Sequence, residues 1–188
     1  QKGNFYLEYI IIDGGSTDGS VDVIKQYDFL ISSKTIPIRC LGIEYKYISE
    51  KDKGPTHALN KGLKMLTGEI VGILNSDDIY TEGTFNKIVE AFQLNIEVEI
   101  VYGDVVFIDE SKKIIGIHKG KRNLSINDFK NQNILIQPEV FIKKSVLDKI
   151  GFFDESLAYA NDYEFWLRAL KNKIKFMYIP EKLVYFRK

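Results

Sequence analysis

The segment Tyr9 to Ser20, Y-I-I-I-D-G-G-S-T-D-G-S, limits what this chain can fold into more than any other. Leu7 to Asp13 is short, β-branched and nearly all apolar, the pattern of a strand covered on both faces, and Gly14-Gly15 stops it. Ser20 to Tyr27 then reads as a helix. The same strand-then-helix order recurs twice. Glu44 to Ser49 reads as a strand, and Gly54-Pro55 opens a helix in which Leu59, Leu63 and Leu66 repeat until Gly68 ends it. Glu69 to Leu74 reads as a buried strand, and Thr81 is the expected N-cap of a helix with Phe85, Ile88, Val89 and Phe92 inward. Three such units predict an α/β fold whose central sheet is mostly parallel, with flanking helices.

The second half is less regular. Ile100 to Ile108 and Ile114 to Ile117 predict a hairpin joined through D-E-S-K-K, and Lys119 to Asn133 predicts a loop with a short helix. Val140 to Ile142 predicts a short strand, Ser145 a helix cap, and Asp162 to Lys171 an amphipathic helix with Tyr163, Trp166, Leu167 and Leu170 inward.

Composition removes several classes of answer. A chain of 188 residues, 45% apolar, can bury roughly 70% of its unfolded surface as one domain. With 26 Lys+Arg against 26 Asp+Glu the formal charge is zero, and no basic run is long enough to serve as a nucleic-acid arm. Cys40 stands alone, so neither an intramolecular disulfide nor a structural zinc site is available. No apolar stretch approaches the ~18 residues that span a bilayer, so the chain as given is expected to be soluble.

Acids gather at three places. Asp13 to Ser20 fails as a P-loop, because Ser20 stands where lysine must reach phosphate, and it lacks the G-x-G-x-x-G order. It fails as an EF-hand loop because Ile24 holds the glutamate position. A ligand site beyond a strand's carboxyl end and an Asx-rich turn both remain open. Asn75-Ser76-Asp77-Asp78 also follows a predicted strand, and two adjacent carboxylates there either hold a hard cation such as Mg²⁺ or Mn²⁺ or complement a helix dipole. Parallel strands ending on one edge would let Asp13 face the same crevice. Asp162, at a helix start beside the aromatic stripe, fits a general base or a dipole partner. His57, Lys61 and Lys64 share a helical face that is expected to be solvated.

Taken together, these sites resemble the family 2 glycosyltransferases of GT-A fold, bacterial polysaccharide branch. The resemblance rests on residues 9–20, on S-E-K-D-K-G-P-T-H-A-L-N-K-G at 49–62 and on G-E-I-V-G-I-L-N-S-D-D at 68–78. It continues through V-Y-G-D at 101–104, Q-P-E-V-F at 137–141 and G-F-F-D-E-S-L-A-Y-A-N-D-Y-E-F-W-L-R at 151–168. It implies a nucleotide site of Asp13, Gly15, Ser16, Asp52, Lys53, Asn60 and Asp77, with Asp13 accepting the imide of uracil or thymine. Asp77 and Asp78 would hold Mn²⁺ or Mg²⁺ on the donor diphosphate, Asp162 would deprotonate the acceptor hydroxyl, and Asp104, Gln137 and Trp166 would contact the acceptor.

The implied reaction is inverting transfer from a UDP- or dTDP-sugar to a saccharide or lipid-linked acceptor. It would belong to bacterial surface polysaccharide synthesis, in the cytoplasm or at the inner membrane face, with peripheral membrane association open to the full-length protein. An impaired fragment or binding module, and a sugar nucleotidyltransferase, are the alternative readings. Residues 1–188 are expected to be one domain, its nucleotide half about 1–110 and its acceptor half about 111–188. The family's first strand with P-T-x-N and the residues that follow Arg187 have no counterpart, so trimming at both ends is expected. Leu59 stands where many relatives carry arginine, which leaves Lys53, His57 or Lys61 as the phosphate cation. Asn161 and Asn75 likewise replace acids common in the family.

Overall fold

The computed structural model describes residues 1–157 and 159–188. Ala158, inside the 151–168 motif, lies outside the described residues. Contacts divide the chain into two compact units, one of Gly3–Gly68 with Phe152–Asn161, the other of Gln1–Lys2, Glu69–Gly151 and Asp162–Lys188.

The smaller unit is a βαβα arrangement. Strand β1 (Tyr6–Asp13) pairs in parallel with β2 (Gly42–Ser49), from Tyr6 opposite Gly42 to Asp13 opposite Ser49. Helix α1 (Ser20–Ser32) makes the crossover a parallel pair requires, and α2 (Pro55–Met65) packs on β1. Gly54 and Pro55 start α2 as the sequence predicts, because proline at the first helical position gives up an N–H that has no partner there. The two-stranded sheet leaves β1 half-buried, with Tyr9 exposed, rather than covered on both faces. Asn60 straps the unit together. Its Nδ2 donates to Phe153 O at 2.8 Å and Glu155 Oε1 at 2.9 Å, and its Oδ1 accepts from Phe153 N at 3.1 Å.

The larger unit is built on a six-stranded mixed sheet. Its elements in chain order are β3 (Ile70–Gly72), β4 (Ile79–Tyr80), α3 (Thr84–Leu94), β5 (Ile100–Ile108), β6 (Ile114–His118), β7 (Val140–Lys143), α4 (Lys144–Ile150), α5 (Asn161–Lys171) and β8 (Phe176–Arg187). The strands run β3-β7-β5-β8-β4, with β6 beside the second half of β5. Only β5 and β8 are parallel; the other four pairings are antiparallel. The α/β class therefore holds, but the mostly parallel central sheet does not, since β3 pairs with β7 and not with β1 or β2. A strand's apolarity encodes burial, not its partner.

Central β5 is buried along nearly its whole length, as a strand covered on both faces must be. Ile88, Ala91 and Phe92 of α3 pack with Val101, Phe141 and Leu183 into one apolar cluster. Two cap assignments change. Thr81 lies before the helix and donates to Lys182 O at 2.6 Å, while Gly83 is the N-cap of α3. Ser145 lies inside α4, whose cap is Lys143. Both were misread because a hydroxyl near an apolar run looks like a cap whatever its contacts. Among the described residues no helix is long and apolar enough to cross a membrane.

Candidate active site

In the smaller unit Asp13 ends β1 and closes its own turn. Its Oδ2 accepts from Gly15 N and Ser16 N, each at 3.0 Å, and from Ser49 Oγ at 2.7 Å, while its Oδ1 accepts from Ser16 Oγ. Gly15 carries φ of 86°, a conformation that favours glycine at this turn. The serine hydroxyls and turn amides hold the carboxyl at about 2, against an ordinary value of 3.8. Both readings of this segment thus involve Asp13, and the Asx-turn reading is the one whose bonds are present.

Asp52 lies in the same unit, its side chain 7% exposed. Its Oδ1 accepts from Lys61 Nζ at 2.6 Å and lies 3.3 Å from His57 Nδ1, and the side-chain contacts with Lys61 first and His57 after it hold its carboxyl low. Its Oδ2 is buried with no hydrogen-bond partner among the described residues. The expectation of a solvated His57, Lys61 and Lys64 face is corrected: the first two turn to Asp52, and Lys64 sits 5.8 Å over the Phe152 ring. Of the three cations expected to replace arginine at Leu59, only Lys53 is exposed with no ion pair among the described residues.

In the larger unit the turn after β3 presents Asp77 and Asp78. The Asp77 carboxylate is exposed, with no hydrogen bond among the described residues, whereas Asp78 is 6% exposed. Asp78 Oδ1 accepts from Arg187 N at 3.0 Å and Oδ2 from Asn75 Nδ2 at 3.3 Å. Burial pushes the Asp78 carboxyl up from its ordinary value, and the Arg187 amide only partly offsets this. Among the described residues no three His, Cys, Asp or Glu side chains gather to hold a metal unaided. Two adjacent carboxylates, one of them short of donors, fit a hard cation that takes its remaining oxygen ligands from a phosphate.

Asp162, on the first turn of α5, accepts at Oδ2 from Asn133 Nδ2 at 2.8 Å and at Oδ1 from Tyr163 N at 2.7 Å. Asp104 on β5 is 7% exposed, and its Oδ1 accepts from Tyr178 Oη at 2.7 Å and Gly120 N at 3.0 Å. Burial, then Asp104, raises the Tyr178 phenol to about 12. Gly103 just before it is required by packing, since a Cβ there would lie 2.6 Å from Glu181 O. Gln137 is half-buried at the start of a 3-10 turn, Gln137–Glu139. Trp166 departs from its expected role. It is 1% exposed and stacks edge-on against Phe165 at 5.3 Å, so the indole is core packing and not an acceptor surface.

Sequence reasoning missed Ser49, Asn133, Glu139 and Arg187. Ser49 could have been found from the parallel register that sets it opposite Asp13. Glu139 is fully buried and accepts from Ile136 N at 2.9 Å through Oε1, while Oε2 has no partner among the described residues, and burial drives its carboxyl well upward. Asn133 and Arg187 reach the site from distant segments with no local signal.

The family model for glycosyl transferase family 2 matches residues 3–151. An uncharacterized glycosyltransferase of Methanocaldococcus jannaschii is 25% identical over 182 residues, covering 95% of this chain and 59% of the relative. The minor teichoic acid biosynthesis protein GgaA of Bacillus subtilis is 26% identical, covering 97% of this chain and 40% of its own length. The chain thus spans about half the length of the relatives it matches.

Among solved structures, TarS 1–349 of S. aureus with UDP-GlcNAc superposes with a TM-score of 0.68 at 15% identity, covering all of this chain and 59% of TarS 1–349. The mannosyltransferase PcManGT of Pyrobaculum calidifontis with GDP-Man and Mn²⁺ gives 0.65 at 18% identity, covering 95% and 47%. These structures share the GT-A fold. With the family pattern running from the first strand of the smaller unit through α4 of the larger one, the chain belongs to glycosyl transferase family 2.

Proposed function

We propose that this chain carries the reaction centre of an inverting, metal-dependent glycosyltransferase. In this reading it moves a sugar from a nucleotide-diphospho-sugar, UDP- or dTDP-linked, to a hydroxyl of a saccharide or lipid-linked acceptor during bacterial surface polysaccharide synthesis. The observation that carries the reading is the Asp77–Asp78 turn. Two neighbouring carboxylates, one exposed and one buried with few donors, are costly alone and become favourable when a divalent cation bound to a diphosphate joins them. The GgaA relative, named for teichoic acid biosynthesis, supports an acceptor of the cell-surface polymer class. TarS seen with UDP-GlcNAc and PcManGT seen with GDP-Man and Mn²⁺ support a nucleotide-sugar donor.

The chain's own residues would divide the work. Asp77 and Asp78 would hold Mn²⁺ or Mg²⁺, which offsets charge that develops on the departing diphosphate. Asp162, its Oδ2 oriented by Asn133, takes the proton of the acceptor hydroxyl. The acceptor oxygen then bonds to the anomeric carbon from the face opposite the leaving nucleoside diphosphate, which inverts the configuration. Asp104 and Gln137 would contact the acceptor, with Asp104 fixed through Tyr178. Asp52 and Lys53 belong to the donor half. We place the reaction in the cytoplasm, at the inner membrane face when the acceptor is lipid-linked.

Titration calorimetry with UDP and Mn²⁺ tests the reading. Binding that depends on Mn²⁺ and disappears in Asp78→Ala is expected, whereas UDP binding that ignores both the metal and the substitution would sink it. An Asp162→Asn variant that transfers sugar at the wild-type rate would remove Asp162 as the base.

A further inference from the structure

We propose that strand β6 and the turns at its two ends form a docking face for an anionic membrane surface. The inference deepens the acceptor reading, on which the purpose of this face rests, by naming the surface that meets the lipid of a lipid-linked acceptor.

Strand β6 is a sheet edge, paired among the described residues with β5 alone. Ile117 lies opposite Val106 and Ile114 opposite Ile108, and the register shift between them leaves Ile115 as the extra residue of a bulge. Val106 and Ile108 are buried, whereas Ile114, Ile115 and Ile117 are 56%, 53% and 45% exposed. Three isoleucines within four positions on an open edge invite association, and such a patch marks a surface that meets a partner.

Charge decides which partner. Residues 109–122 carry five cations against two acids, in a chain whose totals are 26 and 26. Lys112 and Lys113 precede the isoleucines and Lys119 follows them, all three exposed and, among the described residues, in no ion pair. One of the two acids, Asp109, is taken up inside its own turn by Ser111 Oγ at 2.7 Å and Lys113 N at 2.9 Å. A second copy paired antiparallel about Gly116 would set Lys113 opposite Lys119 at both ends, and like charges so placed repel. Acidic lipids reverse that sign. Their headgroups take the ammonium groups while the isoleucines enter the acyl boundary. The face also leads to the proposed acceptor contact, because Gly120, two residues past β6, donates to Asp104 Oδ1 at 3.0 Å.

Flotation with vesicles of equal parts phosphatidylglycerol and phosphatidylcholine tests the docking face. Wild-type protein is expected to bind them, to be released by salt, and to bind pure phosphatidylcholine vesicles about tenfold or more weakly. Ile115→Asn with Ile117→Asn should weaken binding about tenfold or more. Lys112→Gln, Lys113→Gln and Lys119→Gln together should weaken it by about fivefold for each lysine removed. All these side chains are exposed, so both variants should melt within a few degrees of wild type. Leu94→Asn with Ile96→Asn removes apolar side chains that are exposed more fully still, at and just past the end of α3, and should leave binding unchanged.

Wild-type protein that leaves the phosphatidylglycerol vesicles unbound would overturn the proposal. So would equal binding to both vesicle types, or a loss in the Leu94 and Ile96 variant as large as that at β6. A dimer in sedimentation velocity that the β6 isoleucine variant dissolves, with no vesicle binding, would assign the face to a second copy and overturn it too. Should the isoleucine variant fail to fold, the lysine variant decides alone: weakened vesicle binding supports the proposal and wild-type binding overturns it. Calorimetry with UDP and Mn²⁺ keeps the two readings apart. UDP bound by a protein that ignores vesicles overturns only the docking face, and vesicles bound by a protein that ignores UDP overturn the donor reading while the docking face stands.

Discussion

Asp13 ends β1 and Asp78 immediately precedes β4, each more than nine-tenths buried, yet their surroundings are opposite. Asp13 receives four hydrogen bonds and its carboxyl is held at about 2. Asp78 receives one bond at 3.0 Å and one at 3.3 Å, and burial pushes its carboxyl up. A carboxylate offers roughly four acceptor sites, so Asp13 is saturated by its own turn while Asp78 has capacity left. One acid builds the fold; the other is left wanting a cation.

The largest expected effect follows from saturation. Asp13→Ala strands two turn amides and two hydroxyls and should destabilise the smaller unit by about 3 kcal/mol, read by urea unfolding. Equal stability of variant and wild type would erase the contrast. The pH dependence should point the same way. A carboxyl lowered from 3.8 to about 2 contributes stability above its unfolded value and loses it as pH falls through about 2. Asp13→Asn should remove that acid-limb slope, measured by thermal melts between pH 5 and pH 2.

A smaller effect is expected at Asp78. Asp78→Asn replaces a poorly solvated charge by a neutral isostere, so metal-free stability should stay within about 1 kcal/mol of wild type or rise, while Mn²⁺-dependent UDP binding is lost. A drop as large as that of Asp13→Ala would make both acids architectural. The smallest effect is expected at Glu139, a buried acid with a single donor among the described residues. Its raised value means that the folded state keeps a proton the unfolded chain gives up, so stability declines as pH rises above the ordinary value of 4.5. Glu139→Gln should flatten that decline, and melts at pH 5 and pH 8 would show it.

The contrast between Asp13 and Asp78 was only half legible in the sequence. Acids at strand ends, the Gly54-Pro55 helix start and the 100–118 hairpin can all be read from local pattern, because they depend on neighbours in the chain. Partners cannot. Ser49 meets Asp13 through strand pairing, and Arg187 meets Asp78 across 109 positions. Strand β8 itself escaped notice because Pro180 interrupts its apolar run, and β4 because two residues carry no periodicity. The mostly parallel sheet failed for the same reason: three strand-then-helix units imply crossovers, but not that β3 joins the sheet of β1 and β2. Trp166 looked like a site residue from its motif, and burial among Phe165 and its neighbours made it core.

Anomalous diffraction from crystals of this chain grown with UDP and MnCl₂ tests the central claim most directly. A manganese peak within coordinating distance of the Asp77 and Asp78 carboxylates, bridged to the UDP phosphates, is the predicted result. UDP bound with no manganese at that turn, or manganese held elsewhere while Asp77 and Asp78 stay unligated, would contradict it.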